Sequence, residues 1–254
     1  MSAMPDLAFK DHFSAVAADY ASARPEYPDA LFDWIASIAP SRAMAWEAGC
    51  GSGQASRGLA AHFDRVHATD PSAQQIAQAS APGNVDFTVE PGERCSLPDA
   101  SVDAVCVAQA LHWFDRDVFF AECARVLRPS GVLVAWGYKD IEVPPEIADA
   151  NAGLQDEILD YWPPERALID AAYAGFAWPF DPVPAPRFEL RVQWTLPRLL
   201  GYFASYSATK RCHEATGRDP VAAHAPAFAA AWGDPELTRP LSWPLFLHAR
   251  RKPG

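Results

Sequence analysis

Ala43-Met44-Ala45-Trp46-Glu47-Ala48-Gly49-Cys50-Gly51-Ser52-Gly53 is the stretch that decides the fold of this chain. Its first residues, Ala43 to Glu47, are short and mostly apolar, as a buried strand requires. The alternating glycines let the backbone turn sharply and come close to a ligand. A helix is expected from about Gln54 to Phe63, and its first N–H groups would face a carboxylate or phosphate. A tight strand-to-helix turn without a ligand would read the same way. The dinucleotide fingerprint needs a third glycine or alanine. Counted from Gly49 that place holds Gln54, and counted from Gly51 it holds Ser56. The chain has no G-x-x-x-x-G-K-[ST] phosphate loop. Glu47, just before the glycines, would repel a pyrophosphate and suit a cationic ligand, often through water.

Outward from this turn, Val66 to Asp70 reads as a second strand ending in an acid. An acid there can accept hydrogen bonds from both ribose hydroxyls of an adenosine; the other reading of Asp70 is a cap for the helix that follows. Pro71 to Ala79 reads as that helix, with Ser72 or Asp70 near its cap. Val85–Val89, Val102–Ala108 and Gly131–Tyr138 read as strands, and Val118–Leu127 as a helix. Strands alternating with helices imply a parallel sheet with helices on both faces. Upstream, Phe9, Phe13, Val16 and Tyr20 keep helical spacing over residues 6–22. Arg24-Pro25-Glu26-Tyr27-Pro28 ends that run, and Asp29 would cap a helix carrying Leu31, Phe32, Trp34, Ile35 and Ile38. Downstream, residues 139–186 hold eight prolines. Ile147, Leu154, Ile158 and Tyr161 still keep helical spacing there, as in an insertion folded over the sheet. Phe188–Leu196 and Trp243–Arg250 read as further strands, with helix between 197 and 215.

The chain has 254 residues, half of them hydrophobic, and a formal net charge of −11. That composition supports a large core. Its charge repels phosphate backbones, so nucleic acid is not expected as a partner. No stretch approaches the roughly 20 apolar residues that span a bilayer, and Met1–Lys10 lacks an apolar run of signal-peptide length. Five cysteines without a C-x-x-C pair suit a reducing compartment, and a cytoplasmic location is expected. His112, His213, His224 and His248 lack metal-ligand spacing, so no metal is expected. The sequence leaves the oligomeric state open.

Taken in order, these motifs resemble the class I S-adenosylmethionine-dependent methyltransferases. The family's first motif, an acid then G-x-G-x-G, matches Glu47, Gly49, Gly51 and Gly53, and its second-strand acid matches Asp70. Its adenine loop matches Gly92-Glu93-Arg94-Cys95-Ser96-Leu97-Pro98, with glycine for the usual alanine. Asp103 opens the fourth strand as in the family, and Leu127-Arg128-Pro129-Ser130-Gly131 matches its turn into strand five, with serine for a usual glycine. Tyr20-x-x-x-Arg24-Pro25-x-Tyr27-Pro28 and Ala108-Gln109-Ala110-Leu111-His112-Trp113-Phe114 are similar to the trans-aconitate methyltransferase-like branch.

The resemblance implies S-adenosyl-L-methionine as cofactor. Glu47, Gly49, Cys50, Gly51, Gly53, Asp70, Ser72, Gly92 and Glu93 would bind it. Ala108 and Gln109 would sit by its methionine chain, and Tyr20 and Arg24 would hold its carboxylate, arginine through paired hydrogen bonds. An ion pair for Arg24 and a core place for Tyr20 are the other readings. His112 and Trp113 would stand at the pocket mouth, His112 as general base or as the group orienting a carboxylate acceptor, or else as a core histidine. Trp136, Tyr202, Tyr206 and Ser207 are further candidates to contact the acceptor.

The expected fold is α/β: a Rossmann-like, doubly wound, mostly parallel seven-stranded sheet with an antiparallel C-terminal strand. It would form one methyltransferase domain, with N-terminal helices in 1–40, a cofactor-binding core in 41–138, a substrate cap in 139–186, and C-terminal strands and helices in 187–254. Its expected activity is transfer of a methyl group to a small-molecule acceptor, a carboxylate or a hydroxyl, by in-line displacement. A nicotinamide-dependent oxidoreductase and a non-catalytic cofactor-binding protein are the alternatives.

Overall fold

A computed structural model describes residues 25–254. The helix expected over 6–22, with Tyr20 and Arg24, lies outside the described residues. The described chain opens with α1 (Asp29–Ile38), whose Leu31, Phe32, Ile35 and Ala36 form one buried face. Pro28, extended at φ −69°, is the residue that precedes the helix; Asp29 sits inside the first turn rather than capping it. There its carboxylate faces the positive end of the helix dipole.

The sheet begins with β1 (Met44–Ala48), β2 (Arg65–Asp70), β3 (Val85–Val89), β4 (Val102–Ala108) and β5 (Leu127–Tyr138), connected in parallel. Between them lie α2 (Gln54–Ala60), α3 (Ala73–Gln78) and α4 (Arg116–Val126). The strand order is β3-β2-β1-β4-β5, so the chain winds one way from β1 to β3 and then crosses to β4 on the other side of β1. Ligands bind outside the carboxyl ends of strands at such a reversal, and the glycine turn after β1 and the end of β4 meet there.

Strand alternation divides the apolar residues into two cores. Ala45, Ala104, Cys106, Val132, Val134 and Trp136 face one side with α1 and the C-terminal helices. Trp46, Ala48, Val105, Val107, Leu133 and Ala135 face the other with Phe119, Cys123 and Val126 of α4. On the first side α1 presses close to α2: a Cβ on Gly58 would lie 2.0 Å from the Phe32 ring. Asp103 is buried at the start of β4, where its carboxylate accepts the Met44 N–H (3.0 Å) and pairs with Arg128 (2.8 Å).

Beyond β5 come α5 (Ala148–Ile158), α6 (Arg166–Asp170), β6 (Asp181–Val183), β7 (Glu189–Trp194), α7 (Leu196–Ala204), α8 (Ser207–Thr216), α9 (Pro220–Trp232) and β8 (Arg239–Arg251). The 13-residue β8 changes partner along its length. Arg239–Pro244 pairs antiparallel with β7, and Leu245–Arg251 pairs antiparallel with β5. The three-residue β6 pairs with Ala249–Arg251 and brings the sheet to eight strands, one more than the hydropathy pattern gives. The helix expected over 197–215 is two helices, α7 and α8. The sequence pattern gave no sign of α9, because Pro226 stands inside it and its apolar residues are mostly alanine. Pro220 at its first position and the Asp219 carboxylate, which accepts from Val221 (2.9 Å) and Ala222 (3.1 Å), start it firmly. Among the described residues no helix is long and apolar enough to cross a membrane. All five cysteines are buried and free.

Candidate functional site

A cleft of about 620 Å³ opens at the carboxyl ends of β1, β2 and β4, within the range of about 300–1,000 Å³ usual for small-molecule sites. Its floor is the glycine turn. Gly49, Gly51 and Gly53 all take positive φ (71°, 54° and 84°), the left-handed region open to glycine. A Cβ at Gly49 would lie 2.6 Å from the Ala110 Cβ, so the turn after β1 and the end of β4 can meet only through a bare backbone. At Gly51 a Cβ would find only the Gln75 Oε1, 4.0 Å away, and would otherwise project into the cleft. Gly53 does not line the cleft; it sits against Phe87.

The end of β2 holds this turn in place. The Thr69 carbonyl accepts the N–H groups of Gly49 (2.8 Å) and Cys50 (2.9 Å). One oxygen of Asp70 accepts the Gly51 N–H and the other the Ser72 N–H, both at 2.9 Å. The Ser72 hydroxyl in turn accepts from Gln75 and caps α3 (3.3 Å). The helix cap is thus Ser72 and not Asp70, whose carboxylate closes the turn and lines the cleft.

Glu47 is buried beneath the glycines, where the Ser56 hydroxyl donates to its carboxylate. Burial pushes its pKa up to about 8; the Ser56 hydrogen bond opposes this, the negative Asp70 adds to it, and Arg57 opposes it. Cys50 is also buried, and burial followed by the charges of Glu47 and Asp70 raises its thiol well above the usual range, which disfavours the thiolate.

The far wall follows β3 and β4. Gly92 lies under Phe114, whose ring atoms would be 2.7–3.0 Å from a Cβ there, which gives a steric reason for glycine at this point of the loop. The Glu93 carboxylate accepts the Asp115 N–H at 2.9 Å and so ties the loop to the start of α4. At the end of β4, Gln109 takes φ +54°. Its side-chain amide donates to the Tyr138 carbonyl and accepts the Tyr138 N–H, each at 3.0 Å, and so extends the β4–β5 ladder beyond Ala108. That amide crosses the bare face of Gly137, where a Cβ would stand 2.1 Å from it. Gln109 thus presents its backbone to the cleft rather than its amide.

His112 and Trp113 form a single 3-10 turn at the mouth, their rings 4.8 Å apart. The His112 Nδ1 lies 3.0 Å from the Tyr173 hydroxyl. Tyr27, Gln75, Asp115 and Glu165 also line the cleft. Tyr27 falls inside a stretch whose pattern was informative. Glu165 and Tyr173 come from the proline-rich segment, where no spacing marks them.

Four expected acceptor contacts fall elsewhere. Trp136 is wholly buried behind the cleft and packs edge-on against Tyr27 (5.7 Å). Tyr202 and Tyr206 are buried in an aromatic cluster with Trp194, Trp243 and Phe203, and the Tyr202 hydroxyl accepts the Trp243 indole N–H at 2.9 Å. Ser207, half-buried, starts α8 beside them. Helical spacing marks an apolar face but not what it faces, and these residues face the C-terminal helices and β8.

Among the described residues the lining carries four acids, Asp70, Glu93, Asp115 and Glu165, besides Glu47 with its raised pKa, against one cation, Arg57. Such a set suits a ligand with positive charge and opposes a pyrophosphate. No cluster of three or more His, Cys, Asp or Glu among these residues is placed to hold a metal.

Comparison with known proteins agrees with this geometry. A family model described as a methyltransferase domain matches residues 46–135. A proposed methyltransferase of Dictyostelium discoideum is 33% identical over 217 residues, 83% of this chain and 82% of that protein. A proposed S-adenosylmethionine-dependent methyltransferase of Saccharomyces cerevisiae is 30% identical over 141 residues, 52% of this chain and 47% of its own. The solved structure of a proposed type II methyltransferase from Anaeromyxobacter dehalogenans superposes with a TM-score of 0.86 at 44% identity, covering 91% of this chain and 99% of that one. With an extended match in sequence, a matching fold and an acid-lined cleft at the switch point, the chain belongs to the class I S-adenosylmethionine-dependent methyltransferases.

Proposed function

We propose that this enzyme methylates a small-molecule acceptor and binds S-adenosylmethionine in the acid-lined cleft. The observation that carries this reading is the excess of carboxylates around a glycine turn at the sheet's switch point. When bound, the cofactor supplies a methyl group on a sulfonium that is already a good leaving group. The protein then has to align and to exclude water.

In this reading Asp70 accepts from the ribose hydroxyls, and Gly92 and Glu93 flank the adenine. Gly49, Cys50, Gly51 and Ser72 shape the floor, with Gly53 behind it. Ala108 and Gln109 offer backbone groups to the methionine chain. Glu47 acts on the cationic end through water, and Tyr20 and Arg24 hold the carboxylate. His112 and Trp113 border the acceptor, a carboxylate or a hydroxyl, and Glu165 brings the 139–186 segment over it as a cap.

The test is calorimetric titration with S-adenosylmethionine and S-adenosylhomocysteine, comparing the native chain with Asp70→Ala. One-to-one binding that the substitution weakens by about 1–3 kcal/mol, as for a lost charged hydrogen bond, is the expected result. A folded protein that binds neither compound would overturn the reading.

A further inference from the structure

Tyr173 lies 61 residues from His112 in sequence, yet its hydroxyl stands 3.0 Å from Nδ1 of that histidine at the mouth of the cleft. The backbone that delivers it is unusual. Ala172 and Tyr173 both take positive φ, 50° and 57°, a conformation that residues with a side chain rarely adopt and that persists only where the surroundings impose it. Those surroundings are specific. The Ala172 N–H is held by the Ile169 carbonyl (2.7 Å) and the Tyr173 N–H by the Leu168 carbonyl (2.9 Å). His248 of β8 binds the Ala172 carbonyl (2.8 Å). The Tyr173 ring is stacked on Phe176 (4.9 Å) and meets Phe246 edge-on (5.0 Å).

The hydroxyl is buried with the ring, so its proton needs an acceptor within the protein. Among the described residues His112 Nδ1 is the one hydrogen-bond partner of that hydroxyl. Burial holds the phenol well above its ordinary pKa, so it keeps its proton. If Nδ1 carried a proton, two donors would meet and the phenol hydrogen would be buried without an acceptor. With Nδ1 bare, the phenol hydrogen has its acceptor.

We infer that Tyr173 is a positioning residue whose hydroxyl donates to Nδ1 of His112 and fixes this imidazole as the neutral tautomer with its proton on Nε2. His112 then serves the acceptor as a hydrogen-bond donor and does not take a proton from it. The inference rests on the proposed reading of His112 as part of the acceptor site, and it chooses between the two roles open to that residue. It favours an acceptor atom that is nucleophilic as it arrives, such as an ionised carboxylate, over a hydroxyl that must be deprotonated during transfer.

The experiment is two-bond proton–nitrogen NMR on the full chain labelled with 15N-histidine near pH 7.5, with His112→Gln to assign the His112 signals. The expected spectrum shows an unprotonated Nδ1 and a protonated Nε2. In Tyr173→Phe that pattern is lost at His112, while the signals of His62 and His213 stay in place. A protonated Nδ1 in the native chain overturns the inference, as does a His112 pattern unchanged in a folded Tyr173→Phe. Should Tyr173→Phe fail to fold, the native tautomer decides alone. Failure of cofactor binding by calorimetry would strike the proposed function and leave the tautomer untouched, so the two are separable.

Discussion

The two sides of the cleft are built by different means. The side formed by residues 49–52, 70–72 and 91–93 consists of short segments at or just after the ends of their strands, with glycine at 49, 51 and 92. The opposite side joins the turn at His112 to Glu165 and Tyr173, brought in from the part of the proline-rich segment beyond its helical spacing. The first side is set by local rules: where a strand ends, which residue tolerates positive φ, which acid closes the turn. The second depends on long-range packing, down to the tautomer of one imidazole.

Glu47 gives the largest way to test how far the backbone-built side is a self-contained unit. Its folded pKa of about 8 lies above the ordinary 4.5, so the native state binds this proton more tightly than the unfolded chain does. The resulting stabilisation is complete below pH 4.5 and is lost as pH rises towards 8. Its contribution to the slope is about 1.4 kcal/mol per pH unit, and denaturant titrations across that window should show it. In Glu47→Gln the slope disappears. A positively charged ligand should draw the same proton off, so calorimetry in buffers of different ionisation heat should find proton release that Glu47→Gln abolishes.

Next in size is Gly49→Val. Its side chain would start 2.6 Å from Ala110 at a φ of +71°. Overpacking and left-handed strain together should cost about 3 kcal/mol in a urea melt. Gly51→Ala, with open space around its Cβ, should cost about 1 kcal/mol from strain alone. Equal losses would mean that contact between the two sides of the cleft does not govern the turn.

Tyr202→Phe probes the other half of the chain. It leaves the buried Trp243 indole N–H without its acceptor, at about 1–2 kcal/mol of stability. Affinity for S-adenosylhomocysteine should not change; a loss of affinity at constant stability would return Tyr202 to the site. The smallest effect is expected at Ser130, which takes φ +63° where the family usually has glycine. Ser130→Gly should raise stability by about 0.5 kcal/mol, the relief of strain less the added freedom of the unfolded chain.

The same division explains what could be read from the sequence. The bounds of β3 and β4 coincide with the alternation and apolar runs that mark them, and Glu47, Gly49, Gly51 and Asp70 fell into one cleft because each stands at or just beyond the end of its strand. β6 was not legible, since three residues with a central proline carry no period. α9 was hidden by Pro226, and Tyr173 by the irregular backbone that delivers it. Tyr202 and Tyr206 drew attention because they share an apolar helix face. The sequence contains the face but not its partner, which is an aromatic cluster around Trp243.

β8 also governs the order in which the molecule can be assembled. Its C-terminal half covers the edge of β5, and Arg251 binds the Ile38 carbonyl, 213 residues upstream (2.8 Å). Until those residues have been synthesised, the apolar β5 strand has a bare edge, the kind of surface on which nascent chains pair wrongly. At about 5–20 residues per second, the wait between making Tyr138 and making Arg251 is on the order of ten seconds. The chain therefore spends the later part of its translation with the loops of its cleft floor already made and its sheet still open.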